Sequence, residues 1–105
     1  MAEKRKPTYD LDASKAAARR IRITAVATKT AAALGFGRAG IVDIIHTMQR
    51  QQFYKSMTSY EDHRFWQDVY HVPSEAGVLY VKFTADAVTA FVLLSFKEKH
   101  NDHLH

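Results

Sequence analysis

Residues 77–96 read GVLYVKFTADAVTAFVLLSF. Leu79, Val81 and Phe83 fall on one face of the first half, and Val78, Tyr80 and Lys82 fall on the other. A period of two predicts a strand with one buried face and one wetter face. Ala85-Asp86 is a turn signal. Residues 88–96, VTAFVLLSF, are apolar on both faces, as a central strand is. Two strands joined by a short turn predict an antiparallel hairpin. Upstream, Pro73-Ser74-Glu75 and Gly77 mark a turn over residues 72–77, and residues 66–72 supply a third strand. The result is a three-stranded meander.

Further upstream the period changes. Ile41, Ile44, Ile45 and Met48 recur at i, i+3, i+4 and i+7, the apolar stripe of a helix over residues 40–52. Residues 28–34, TKTAAAL, predict a short helix stopped by Gly35. Asp10 or Asp12 can cap a helix through the Ala-rich residues 13–20, with Lys15, Arg19 and Arg20 toward its C-terminal end. Residues 21–26, IRITAV, fit a short strand or an extended linker. The fold class predicted is α+β: N-terminal helices packed on one face of a small, mostly antiparallel, twisted sheet. The helix-facing side is assigned to Leu79, Val81 and Phe83 with Val92, Leu94 and Phe96.

The chain has 105 residues, no cysteine, a net charge of +4 and a pI near 9.5. That length predicts a single domain, with residues 1–9 a polar, flexible start and residues 100–105 a flexible tail. Absence of cysteine excludes disulfide and thiolate chemistry and fits a reducing cytoplasm. No apolar run is long enough to span a membrane, and no apolar run follows the charged MAEKRKPTYDLD start as in a secretory signal. A basic balance favours anionic partners. Residues 35–40 spell G-x-G-x-x-G, but a predicted helix precedes them, whereas dinucleotide binding needs a strand there. These glycines read as a turn between helices.

The chemistry concentrates in residues 53–70, FYKSMTSYEDHRFWQDVY. Aromatic rings, Lys55, Arg64 and Gln67 crowd this stretch, a pattern that supplies planes for bases and cations for phosphates. Strand parity puts Tyr80 and Lys97 on the open face of the sheet, where Gln67 can join them and Lys55 can reach them. Metal-free RNA cleavage needs a base for the 2′-hydroxyl, positive charge around the phosphate and a proton donor for the leaving oxygen. Lys55 and Lys97 can neutralise the phosphate, and either could act as base if its pKa fell. Tyr80 can donate or accept a proton, and Gln67 can orient the scissile group. The bland alternative is that these lysines are solvated and Tyr80 merely packs. No histidine pairs visibly for acid–base work, and His71 reads as a bystander. The tail spacing of His100, His103 and His105 fixes no ligand geometry, so no metal site is assigned.

FYKSM at residues 53–57, a turn at 60–63, WQDVY at 66–70 and SFKEK at 95–99 resemble the signature of the MqsR family. These are the motility quorum-sensing regulator toxins of type II toxin–antitoxin systems. The resemblance is dense over residues 53–70, fair over 77–99 and thin before residue 41. It implies a RelE-like mRNA interferase that cuts at short sequence motifs without a cofactor, inhibits translation and growth, and is neutralised by a cognate antitoxin. It places catalysis on Lys55, Gln67, Tyr80 and Lys97. Tyr54, Tyr60, His63, Arg64 and Lys82 are the accompanying candidates for RNA binding. The partners implied are mRNA and the antitoxin, with the ribosome a further candidate and no membrane; the compartment implied is the cytoplasm. The competing functions are a non-catalytic RNA- or ribosome-binding regulator, and a protein-interaction domain pairing through a sheet edge.

Overall fold

The computed structural model describes residues 2–59, 64–86 and 90–99. The strands are β1 (Glu3–Lys4), β2 (Arg22–Ile23), β3 (Phe53–Thr58), β4 (Trp66–Ser74), β5 (Gly77–Asp86) and β6 (Ala90–Glu98). The helices are α1 (Leu11–Ala16), α2 (Ala25–Ala33) and α3 (Arg38–Thr47), with 3₁₀ turns at Ala18–Arg20 and Arg50–Gln52. Among the described residues these six strands form one sheet in the order β1-β3-β4-β5-β6-β2. Every pairing is antiparallel except that of β2 with β6. The architecture is α+β, with the helices preceding the sheet's main strands.

Local chemistry explains the helix ends. Asp10 caps α1 by accepting from the Ala13 amide, and Thr24 caps α2 by accepting from the Ala27 amide. The Thr24 cap starts α2 three residues earlier than the sequence pattern predicts. Gly35 follows α2 with φ +88°, a left-handed conformation that suits glycine. The G-x-G-x-x-G stretch thus links two helices, and the strand required before a dinucleotide site is absent from that position. Arg38, inside this stretch, donates to the backbone oxygens of Arg19 and Ile21 at 2.9 and 2.7 Å. It closes the end of the preceding 3₁₀ turn.

Ile41, Ile45 and Met48 are buried as their spacing predicts, together with Val42, while Ile44 is half-buried. They join Ala27 and Ala31 of α2 against Tyr70, Val72, Leu79, Val81, Phe83, Leu93 and Phe96 of the sheet. The α3 helix stops at Thr47, short of the predicted residue 52, because Met48 turns extended (φ −61°, ψ 140°).

The central hairpin forms, with a correction at each end. β4 runs through Pro73 to Ser74, so the turn narrows to Glu75-Ala76. The pairing of β3 with β4 ends at Phe53 opposite Tyr70, so the Pro73 side of β4 has no β3 neighbour, and a missing N–H is tolerated there. Ala85 and Asp86, read as a turn, extend β5 instead. A register shift opposite Lys82 and Phe83 also resets the faces of β6. Leu93, not Leu94, is the buried partner of Phe83, and Val92 pairs with Thr84 in a row that also holds Gln67. An extra residue in one strand inverts every parity beyond it.

The N-terminal residues, read as a solvated start, contain edge strand β1. Behind it the buried Asp68 carboxylate accepts from the amides of Thr8 and Tyr9 at 3.0–3.1 Å. The Tyr9 ring then packs near Phe83 and Phe91, with centroids 6.1 and 5.9 Å away. Among the described residues no helix is long and apolar enough to cross a membrane.

Candidate active site

The helices cover one side of the sheet and leave the other open. On the open side the register sets three rows across the strands. Lys55, Val69, Lys82 and Ser95 form the middle row. His71, Tyr80 and Lys97 form the row on one side of it, and Met57, Gln67 and Thr84 form the row on the other. Tyr54 sits at the irregularity between Phe53 and Lys55, which turns its ring onto His71.

Tyr80 and Lys97 are therefore direct cross-strand partners, and the Lys97 ammonium lies 5.3 Å from the Tyr80 ring centroid. Lys55 is close enough to Tyr80 for each to influence the other's ionisation. Gln67 lies on the same face but four residues from His71 along β4, about 14 Å at ~3.4 Å per residue. Three of the four predicted catalytic side chains gather, and Gln67 stands apart at the edge of the group. Of the predicted RNA contacts, Tyr54 and Lys82 belong to this face, and Arg64 is exposed with its guanidinium 5.7 Å from the Phe65 ring centroid. Tyr60 and His63 lie outside the described residues.

The electrostatics sort the lysines. Lys55 ion-pairs with Glu3 of β1, and that hydrogen bond raises its pKa above the ordinary lysine value. The expectation that Lys55 could be the base therefore loses its physical ground, because its proton is held more tightly. Lys82 moves the other way, lowered first by burial and then by Lys97. Burial raises the Tyr80 pKa, keeping its phenol a proton donor at neutral pH.

Sequence reasoning missed three participants. His71 stacks on Tyr54 with centroids 4.3 Å apart and planes at 24°, and its ring lies 6.1 Å from Tyr80. Lys99 is near enough to His71 to lower its pKa, though burial contributes more. Arg5 reaches the outer side of Tyr54, 5.8 Å from its centroid. The signal for His71 was the hairpin turn: once Glu75-Ala76 is the two-residue connection, counting back along both strands pairs His71 with Tyr80.

A groove of 630 Å³ lies away from these side chains, between residues 6–12 and the end of α3. The open face is a cationic, ring-studded surface, which suits an extended polyanion better than an enclosed small molecule.

A family model described as motility quorum-sensing regulator, toxin of MqsA, matches residues 6–98. The chain belongs to the MqsR toxin family. It is 39% identical over 79 residues to the mRNA interferase toxin MqsR of Escherichia coli (strain K12), a match covering 75% of this chain and 79% of that protein. Membership of the MqsR family thus extends through the N-terminal helices, where the sequence words alone were thin.

Proposed function

We propose that this protein is a toxin-type endoribonuclease that cuts single-stranded mRNA through its 2′-hydroxyl and is held in check by a cognate antitoxin. Membership of a toxin family and the likeness to a protein named an mRNA interferase support the activity class. The single observation that carries the site is the Tyr80–Lys97 pair on the open face, flanked by Lys55 and Lys82.

Attack of O2′ on the phosphorus builds negative charge on the phosphoryl oxygens and then on the leaving O5′. Lys55 and Lys97 balance that charge, the Tyr80 phenol donates a hydrogen bond to a phosphoryl oxygen, and the Lys97 ammonium gives a proton to O5′ while a separate base takes the one from O2′. Ammonium and phenol groups are poor ligands for a divalent ion, so the reading is of metal-independent cleavage. Gln67, set apart along β4, suits a flanking nucleotide better than the scissile bond, and so fits selection of a short motif. Tyr54 offers a face for base stacking, and Lys82 a phosphate contact. Action in the cytoplasm, on free or ribosome-bound message, follows from the substrate.

The test is a labelled single-stranded RNA incubated with the folded protein in EDTA, with a gel shift run in parallel. The reading expects discrete cuts ending in 2′,3′-cyclic phosphate or 3′-phosphate, and none where the cleavage-site nucleotide is 2′-deoxy. A salt-sensitive shift without products, with and without ribosomes, would instead make the protein a binding regulator.

A further inference from the structure

Transfer through the 2′-hydroxyl needs a proton acceptor, and the lysines of the proposed site are ill suited to it. Lys55 is fastened to Glu3, and Lys97 is assigned as proton donor to the leaving oxygen. Lys82 has a lowered pKa but shares its row with Val69 and Ser95, one row away from the Tyr80–Lys97 pair. His71 is in the row of that pair. It is the β4 partner of Tyr80, which in turn is the β5 partner of Lys97.

We infer that His71 is the general base of this active site, an inference that rests on the ribonuclease reading above. Its imidazole nitrogen takes the proton from O2′–H as the O2′–P bond forms and the P–O5′ bond breaks. The Lys97 ammonium protonates O5′, leaving a 2′,3′-cyclic phosphate, an imidazolium and a neutral lysine that exchange protons with water.

Three features support this role. First, the imidazole is held by ring packing: Tyr54 stacks on it at 4.3 Å and 24°, and the Tyr80 ring lies tilted beside it at 6.1 Å and 40°. Stacking occupies the ring faces, whereas the nitrogen lone pair lies in the ring plane, at the edge. Among the described residues the His71 ring contacts these two phenols, and neither of its nitrogens makes a hydrogen bond. Second, the groups facing it are Tyr54 and Lys55 from β3, Tyr80 and Lys82 from β5, and Lys97 and Lys99 at the end of β6, with Arg5 behind Tyr54. Among the described residues this set holds no carboxylate that would keep the imidazole protonated, and Glu3 is ion-paired with Lys55. Third, burial and Lys99 both lower its pKa, so it is neutral and base-competent at pH 7. The same cations draw the phosphate toward it.

The experiment is single-turnover cleavage of one RNA by wild type and His71→Gln, from about pH 5 to about pH 9, spanning the imidazole titration. Affinity for the 2′-deoxy analogue and a thermal melt are measured in parallel. The inference expects the wild-type rate to rise with pH to an inflection below about 6.5 and then level off. His71→Gln should lose that inflection and about 10²–10⁴-fold in rate, with affinity and melting nearly unchanged. Free imidazole should restore part of the rate to His71→Ala. A glutamine variant that keeps the rate and the inflection overturns the inference. So does one that loses only affinity, which would make His71 an RNA contact. A folded wild type that cuts no RNA overturns the ribonuclease reading and the base assignment together.

Discussion

Asp68 shows at the scale of one residue how a family word can be structural. It sits inside WQDVY, yet its carboxylate points away from the open face and holds the Thr8 and Tyr9 amides at zero exposure. Asp68→Ala strips two backbone donors of their partner, and it should cost about 2–4 kcal/mol in urea unfolding. A loss under about 0.5 kcal/mol would mean that water replaces the carboxylate there. Tyr70 gives a pH prediction. Its hydroxyl is buried without a partner among the described residues, and burial pushes its pKa from 10.0 up to about 12. A folded pKa above the unfolded one favours the protonated, folded state. The stabilising share of Tyr70 is therefore complete below pH 10.0 and fades as pH rises toward about 12. Melting temperatures between those limits should fall less for Tyr70→Phe than for wild type, and equal falls would remove Tyr70 as the cause.

At the scale of elements, what could be read from sequence followed the length of each repeat. β5 and α3 carry several turns of their own period, so their buried faces, Leu79-Val81-Phe83 and Ile41-Ile45-Met48, are plain in the residues. β1 and β2 are two residues each, too short to carry any period, and they exist because neighbouring strands offer them an edge. The aromatic and cationic side chains of β3 hide its alternation in the sequence. The β6 irregularity inverts the faces of Leu93 and Leu94, and such an insertion leaves no composition signal. Gly35 was legible because a helix pattern stops at it. Its φ of +88° predicts that Gly35→Ala loses about 1 kcal/mol by chemical denaturation, although a Cβ there meets no atom within 4 Å. An unchanged midpoint would place the α2–α3 turn under no backbone strain.

The whole molecule divides its labour between two sides of one sheet. The helix side holds the apolar core, and the open side gathers Lys55, Lys82, Lys97 and Lys99 around Tyr54, His71 and Tyr80. That Tyr80 and Lys97 share the open face was readable from parity, because no register shift intervenes between Tyr80 and Lys82 on β5; their direct pairing needed the register. The approach of Lys55 and the place of His71 depended on β3 and on the exact turn, which only the folded chain supplies. The central claim is that these open-face side chains cut RNA. Its most direct test is the rate of RNA cleavage in EDTA by wild type beside the Lys55→Ala/Lys97→Ala double variant, with folding checked by melting. The account predicts cuts by wild type and a loss of about 10³-fold or more in the double variant, as removal of two charge-stabilising groups should give. A folded double variant that cuts as fast as wild type would contradict it.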